Sequence, residues 1–410
     1  MFLKSIPMVL VLVGLAFYFV LAGADFGAGF WQLTAGRGRR GEAVREHAHH
    51  SMGPVWETNH VWLIFVLVIF WTCYPTAFGS VASTLCVPLF IAALGIIFRG
   101  TAYALRSGAS NPRESGAIDT LFGISSIVTP FALGAAIGGI ATDRVPVGNA
   151  AGHMFSSWLN PTSIVIGVLA VAVSAYMAAV YLAADAHREG NSALERAFRR
   201  RALGSAVIAG FLAVAGILIV NADRDTLFDS LLTSRALGGV IASMLAGAAT
   251  IVLVHRRRYE PARYVASVAV AAIVAGWALA RWPKVLPSLK ISEAAAGHDT
   301  LVAVLVVFVV GSVLLIPSMT WLFRLSVTGR FSDSARSWRG QVRRDMPAVA
   351  RPALVVRAAL ACLIVGAGLL NVLDAKWAHV IGVVGLLAFV LLAARAIIFA
   401  VITDDPPAAA

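Results

Sequence analysis

Long apolar runs separated by short polar stretches repeat along the whole chain. Each run comes near the roughly 20 mostly apolar residues that a helix needs to cross the hydrocarbon core of a membrane. The runs are continuous, whereas the strands of a barrel would alternate apolar and polar positions, so helices are predicted. The pattern predicts eleven transmembrane helices, near residues 6–34, 54–73, 80–105, 117–141, 157–185, 203–222, 236–255, 264–282, 300–323, 352–373 and 377–402.

The polar stretches between the runs predict how the helices are connected. Only the turn around Tyr74, Pro75 and Gly79 separates the second run from the third, which predicts a tight helical hairpin. The longest polar stretch, about 324–351, predicts a cytoplasmic linker before a last pair of helices. The even number of helices among the first eight suggests two four-helix bundles, although the sequence shows no strong internal repeat. The first run is too long for the apolar part of a signal peptide, so we expect it to remain as a helix.

Composition and charge agree with a membrane protein and predict its orientation. With 59% hydrophobic and 13% charged residues and a mean hydropathy of +0.82, a water-soluble globular protein is excluded. The net charge of +12 comes mainly from arginines in the odd-numbered loops, such as Arg256, Arg257 and Arg258. Because basic loops stay on the cytoplasmic side, we expect the N-terminus outside and the C-terminus in the cytoplasm. The same rule explains the basic charge without a nucleic-acid partner.

No combination of residues predicts a metal site. Three histidines cluster in the first cytoplasmic loop, but no carboxylate or cysteine completes a site, so we expect a solvated interfacial face: His47, His49 and His50. The three cysteines each lie alone within an apolar run: Cys73, Cys86 and Cys362. A haem held within one chain usually needs a histidine deep in a helix, and only His60 comes near such a position. We therefore expect no haem bound by this chain alone.

Ionisable residues within the predicted helices are few. Placing a charge near the centre of a membrane costs about 2.5 to 3.5 kcal/mol, so each such residue needs an explanation. Asp25 lies in the inner half of the first helix, Glu57 about one turn inside the second, and Arg99 near the cytoplasmic end of the third. Three consecutive helices therefore place ionisable groups at a similar depth.

The surroundings of these residues allow two interpretations. Glu57 and His60 are three residues apart on one helical face, beside Trp56, and a carboxylate and an imidazole so placed could relay protons. Alternatively, Glu57 and Arg99 form a buried structural ion pair, with His60 hydrogen-bonded to Asn59 or to a backbone carbonyl. For Asp25 the alternative is a packing role among small residues, with the carboxylate capping or pairing locally.

Three segments resemble subunit II of the cytochrome bd quinol oxidases. They are Ala24-Asp25-Phe26-Gly27, the stretch Trp56-Glu57-Thr58-Asn59-His60-Val61-Trp62-Leu63-Ile64-Phe65, and Phe98-Arg99-Gly100 at the end of the third helix. The resemblance continues more weakly through Asp119, Leu159-Asn160-Pro161 and Tyr181 to the ninth helix. It covers roughly residues 1–330.

This resemblance implies an architecture and a set of partners. Residues 1–330 would form a nine-helix subunit of two four-helix bundles plus a peripheral helix, and residues 331–410 a linker and a two-helix extension without a counterpart in the family. The complex would oxidise quinol and reduce oxygen to water in a bacterial or archaeal cell membrane. A homologous subunit I would carry haem b and haem d, with a small accessory membrane subunit as a further partner. A structural quinone or lipid is a further cofactor to consider.

The resemblance also implies roles for particular residues. Asp25, Glu57 and His60 would be members of a cytoplasmic proton path, while Arg99 would hold Glu57 ionised or orient it. The supporting residues would include two tryptophans that shape the wall toward the haem subunit, an amide and a further acid: Trp56, Trp62, Asn59 and Asp119. The family often shows two aspartates in the first helix, but here Ala22 stands at the first of these positions.

Two other functions are compatible with the charges. In a secondary transporter, the same inner-half charges would form a coupling-ion site, although the sequence shows no matched pair of interrupted helices. A subunit of a bd-related complex with a different electron donor is the other alternative, because the donor would bind mainly to subunit I.

Overall fold

The computed structural model describes residues 2–36, 38–106, 112–223, 225–232, 234–327, 352–372 and 375–403. Nearly all of these residues are helical. The first helices are α1 (Phe2–Leu33), α2 (Arg39–Cys73), α3 (Pro75–Thr84), α4 (Cys86–Arg106), α5 (Pro112–Ala141), α6 (Pro161–Arg188) and α7 (Ser192–Asp223). They are followed by α8 (Asp225–Leu231), α9 (Ser234–His255), α10 (Tyr259–Arg281), α11 (Ile291–Ala294), α12 (His298–Val327), α13 (Pro352–Val372) and α14 (Lys376–Thr403). A small antiparallel hairpin, β1 (Lys284–Leu286) and β2 (Leu289–Lys290), precedes α11.

The length and composition of the helices identify a multi-pass membrane protein. Within the described residues, eight helices are long and apolar enough to cross a membrane, and nine if the bent pair Asn59–Cys73 and Pro75–Thr84 is one span. Shorter apolar stretches, Leu354–Leu369 and Trp377–Ala393, lie in α13 and α14. The all-α membrane fold is therefore confirmed. The total of eleven spans and the arrangement in two bundles stay predictions.

The connection between the second and third predicted helices differs from the expected tight hairpin. α2 ends at Cys73, and α3 leaves it at an angle of 119° before α4 begins at Cys86. Pro75 at the first position of α3 starts a new helix instead of closing a turn, because proline fits the first turn of a helix. The Tyr74 hydroxyl donates to the backbone oxygen of Lys4 at 2.7 Å and holds this corner against α1. The prediction of a hairpin was wrong, since α2 packs along α1 and α4 packs along α5.

Contacts cluster the described structure into two compact units, Met1–Phe308 and Val309–Ala410. In the first unit, α1 is central and packs against α2, α5, α6 and α10. Its closest approach is to α6, where a Cβ atom on Gly27 would overlap the backbone of Ser174. In the second unit, α13 and α14 pack together, and a Cβ atom on Gly366 would lie 3.0 Å from the backbone oxygen of Gly382. Small residues therefore set both helix contacts.

Candidate functional site

Among the described residues, the most buried charges are Asp25 of α1 and Arg99 of α4, each 1% exposed. Arg99 Nη2 donates hydrogen bonds to the Asp25 carboxylate and, at 2.8 Å, to the Asp25 backbone oxygen. Arg99 Nη1 donates to the hydroxyl of Ser126 in α5. One guanidinium thus joins three helices. The opposite charge and the hydrogen bonds offset the cost of removing both ions from water.

A second contact to the same carboxylate comes from α2. Asn59 is 1% exposed, and its Nδ2 group donates to Asp25 Oδ2 at 2.9 Å. The two oxygens of Asp25 therefore have different partners, Arg99 on one and Asn59 on the other. Each carboxylate oxygen has two lone pairs, so each can accept a further hydrogen bond. The carboxylate is held in a fixed orientation but retains the capacity to bind water.

The space for the Arg99 side chain depends on the residues around it. The guanidinium lies 4.1 Å from the centre of the Phe122 ring and 5.2 Å from that of Phe26, within the range of cation–π attraction. On α1, a Cβ atom on Gly29 would overlap the Ser126 hydroxyl and lie 2.9 Å from Arg99 Nη1. A glycine at this position is what allows the arginine to reach α1 and α5 together.

These contacts bear on two predictions. Arg99 pairs with Asp25, while the pairing with Glu57 that the sequence suggested falls on a side chain outside the described residues. Asp25 does not cap or pair locally, because its partners lie 34 and 74 positions away along the chain. The reason is the rotational position of α4, which directs Arg99 toward α1. The side chains of Trp56 and Glu57 lie outside the described residues.

The remaining predicted residues occupy different surroundings. His60, directly after Asn59, is half-buried. Trp62 stacks on Phe17 of α1 with ring centroids 4.5 Å apart. Asp119 is not part of the buried cluster, since it accepts a 2.6 Å hydrogen bond from Arg106 and both side chains are about a quarter exposed. That pair braces the ends of α4 and α5.

The structure also corrects the prediction that the histidine cluster is a solvated face. α2 begins at Arg39, so the predicted first cytoplasmic loop is largely helical, and His47 packs into the protein with 7% exposure. Its Nε2 atom lies 3.0 Å from the backbone oxygen of Leu182, and its Nδ1 atom 3.3 Å from Glu189 Oε2. The prediction of a solvated face was therefore wrong for His47. His49 lies against Tyr103 of α4, with ring centroids 5.2 Å apart.

A group of charges at one end of α6, α7 and α10 was not singled out from the sequence. Arg263 donates to Asp185 at 2.9 Å, and the Tyr259 hydroxyl donates to Glu195 at 2.9 Å. Arg188 bridges Asp185 and Glu260. These pairs clamp the three helix ends together. The only sequence signal for them was their high density of charge beside apolar runs.

The described residues contain no group of three or more histidine, cysteine, aspartate or glutamate side chains that could hold a metal ion. The most buried histidine, His47, has a polar partner near each ring nitrogen. As placed, it offers no nitrogen to an iron atom.

Comparison with known proteins shows what this chain is similar to. Of the curated relatives, the chain is 27% identical over 132 residues to cytochrome bd ubiquinol oxidase subunit 2 of Bacillus subtilis, covering 32% of this chain and 38% of that protein. It is 28% identical over 191 residues to cytochrome bd-I ubiquinol oxidase subunit 2 of Escherichia coli, covering 44% of this chain and 48% of that protein. The chain thus spans less than half the length of these relatives.

A solved structure and a family model extend these matches. The structure of bd oxidase from Geobacillus thermodenitrificans superimposes with a TM-score of 0.66 at 22% identity, over 80% of this chain and 99% of that chain, which shows a shared fold. The model of the family described as cytochrome bd terminal oxidase subunit II matches residues 3–326, from α1 into α12. Since this match covers most of the sequence, the chain belongs to the cytochrome bd terminal oxidase subunit II family.

Proposed function

We propose that this chain is the non-haem subunit of a cytochrome bd-type terminal oxidase, a complex that oxidises a quinol and reduces oxygen to water. Membership of the family and the membrane fold support this proposal. The observation that carries the role of this chain is the buried cluster of Asp25, Asn59 and Arg99. Such a polar group inside a membrane is costly and is characteristically found on ion or proton pathways.

The partner in this proposal is a homologous haem-bearing subunit I, with a small accessory membrane subunit as a third chain. Haem b and haem d on subunit I would carry the electrons and bind oxygen. This chain would stabilise that subunit through its apolar faces, with Trp62 on the wall toward it. A structural quinone or lipid would occupy the apolar surface of the complex.

Protons for oxygen reduction would enter from the cytoplasm, where the basic loops place the far end of α1. Glu57 and His60 would carry protons, and Asp25 would be the next carboxylate along the path. Asn59 lies between the proposed carriers of α2 and Asp25, since it is next to His60 and donates a hydrogen bond to the Asp25 carboxylate. The ion pair with Arg99 would keep Asp25 in position while water exchanges protons at its free lone pairs.

The proposed topology has the N-terminus outside and the C-terminus in the cytoplasm. Nine spans would form two four-helix bundles and a peripheral helix, and α13 and α14 would add two spans. The order of packing, in which α1 contacts α2, α5 and α6, supports one bundle built around α1. The membrane would be that of a bacterial or archaeal cell.

Co-purification tests the assignment to an oxidase. This chain, produced with an affinity tag in its native cells and solubilised in mild detergent, should retain a second chain together with haem. Reduced-minus-oxidised spectra of the eluate should show haem b and haem d bands. A chain that purifies alone and without haem from active membranes would refute the proposal.

Replacing Glu57 with glutamine should slow oxygen consumption per haem about tenfold or more, because the amide cannot take up and release a proton. Haem content should stay close to that of the wild type. Glu42→Gln, at an exposed carboxylate in the first turn of α2, is the matched control and should leave turnover unchanged. Wild-type turnover of an assembled Glu57→Gln complex would remove Glu57 from the path.

A secondary transporter is less well supported. The bend between α2 and α3 is an interrupted span of the kind found in transporters. A transporter would also have a matching interrupted helix in the other half of its chain. The part of the chain that the structure describes contains one such bend. It is braced by Tyr74 against the start of α1, away from the charged cluster. A bd-related complex with another electron donor would give haem spectra but no turnover with quinol.

A further inference from the structure

Three polar residues lie on one stripe of α1, spaced seven residues apart: Tyr18, Asp25 and Gln32. Seven residues make almost two helical turns, so successive members share a face and lie about 10.5 Å apart along the axis. All three are buried, with exposures of 3%, 1% and 3%. The stripe runs from the end of α1 to its middle. Asp25, which the proposed function places on the proton path, lies between the other two residues.

The outer members of the stripe carry polar atoms without partners. Within the described structure, the Tyr18 hydroxyl and Gln32 Oε1 are buried and have no hydrogen-bond partner, and neither has the Nε atom of Arg99 beside Asp25. Buried polar atoms are almost always hydrogen-bonded, and ordered water is the usual partner where protein groups are lacking. Ordered water beside Arg99 and along the stripe would satisfy these three atoms.

The surroundings of Tyr18 distinguish it from an ordinary packed tyrosine. Its ring lies in an apolar cluster with Ala22 and Phe26, against Trp62 of α2 and Leu133 of α5. Tyr18 therefore places a hydroxyl on the same stripe of α1 as Asp25, about two turns further from the cytoplasmic end. Ala22, between Tyr18 and Asp25, contributes no polar group.

We propose that the Tyr18 hydroxyl and water held beside Arg99 continue the proton path beyond Asp25 toward the middle of the membrane. This inference rests on the proposed function, and it deepens it by naming the next group on the path. Gln32 would orient water at the cytoplasmic entrance, since its amide can donate and accept but does not titrate. Tyr18 would supply the carrier that Ala22 cannot.

The transfer at Tyr18 involves protons only. Its hydroxyl accepts a hydrogen bond from water on the Asp25 side and donates one to the next acceptor. As that O–H bond breaks, the proton passes onward, and a new O–H bond forms with the proton that the water donates. Tyr18 ends in its starting state, the water takes its missing proton from the group behind it, and no electron moves.

Replacing Tyr18 with phenylalanine in the complete complex tests this inference. The change removes one oxygen and keeps the ring. We expect turnover per haem to fall about tenfold, less than the roughly hundredfold or more that a positioned proton carrier typically contributes, because water fills part of the gap. Proton transfer should then limit the rate, so the solvent deuterium isotope effect should rise. Haem reduction by quinol without oxygen should be unchanged.

Tyr176→Phe is the matched control. Tyr176 lies in α6, is 7% exposed and also has a buried hydroxyl, but it is not on the α1 stripe. Its substitution should change neither turnover nor isotope effect. Because turnover is expressed per haem, only assembled complexes contribute to the measured rate. If Tyr18→Phe gives too little complex, Tyr18→His provides a second variant, whose imidazole can relay protons and should keep more activity than Tyr18→Leu.

The outcomes separate this inference from the proposed function. A slow Glu57→Gln complex together with a wild-type rate and isotope effect in Tyr18→Phe would overturn the role of Tyr18 alone. Equal rates for Tyr18→His and Tyr18→Leu would overturn it too. Wild-type turnover in assembled Glu57→Gln and Asp25→Asn complexes would instead refute the proton path itself. A slow Tyr18→Phe with a raised isotope effect and a silent Tyr176→Phe supports the inference.

Discussion

Replacing Arg99 with methionine should cost about 3–5 kcal/mol of folding free energy, because it leaves the Asp25 carboxylate buried without its cation. Both side chains of the pair are almost fully buried, and the guanidinium also holds Ser126. The stability of a folded domain is only about 5–15 kcal/mol, so the loss is a large fraction of it and the amount of this chain should fall several-fold. The measurements are the amount of this chain in isolated membranes and the thermal midpoint of any complex recovered.

Two variants show whether the missing charge is the cause. Arg99→Met combined with Asp25→Asn should recover much of the lost stability, since removing both charges is far less costly than removing one. Arg106→Met is the matched control, because its ion pair with Asp119 is partly exposed and should be worth about 1 kcal/mol or less. If Arg99→Met accumulates as well as Arg106→Met, the buried pair does not stabilise the fold.

Leucine in place of Gly27 should be similarly disruptive. A Cβ atom there would overlap the backbone carbonyl group of Ser174 in α6, and backbone cannot move aside as a flexible side chain can. Inserting side-chain volume into such a contact costs at least about 3 kcal/mol here, the upper part of the usual range for overpacking. Gly27 is also two residues from Asp25, so separating α1 from α6 should displace the carboxylate. Yield and oxygen consumption per haem measure the two effects.

Gly210→Leu is the control for this substitution. Gly210 lies on the exposed side of α7, and a Cβ atom there would meet nothing within 4 Å. The Gly210→Leu substitution introduces the same side chain into a membrane helix, and leucine is a better helix former than glycine. We expect yield and turnover close to those of the wild type. Equal losses in Gly27→Leu and Gly210→Leu would show that adding a leucine side chain to a membrane helix, and not the α1 contact with α6, is responsible.

The depth of each charged residue could be predicted from the sequence alone. Insertion into a membrane depends mainly on position along one axis, and apolar runs of spanning length locate that axis for each helix. The same reasoning identified Asp25 and Arg99 as residues that need partners. The segments around them also carried the resemblance that the family model bears out over residues 3–326.

Which partner each charge has was decided by the tertiary structure. Depth does not determine how a helix is rotated about its axis, and that rotation directs Arg99 to Asp25. Likewise, the sequence showed three histidines in a polar stretch, but only the extension of α2 to Arg39 places His47 against α6. In the sequence, nothing distinguished Tyr18 from the other aromatic residues. Its burial without a hydrogen-bond partner among the described residues depends on how α2 and α5 pack over α1, and spacing along one helix does not contain that information.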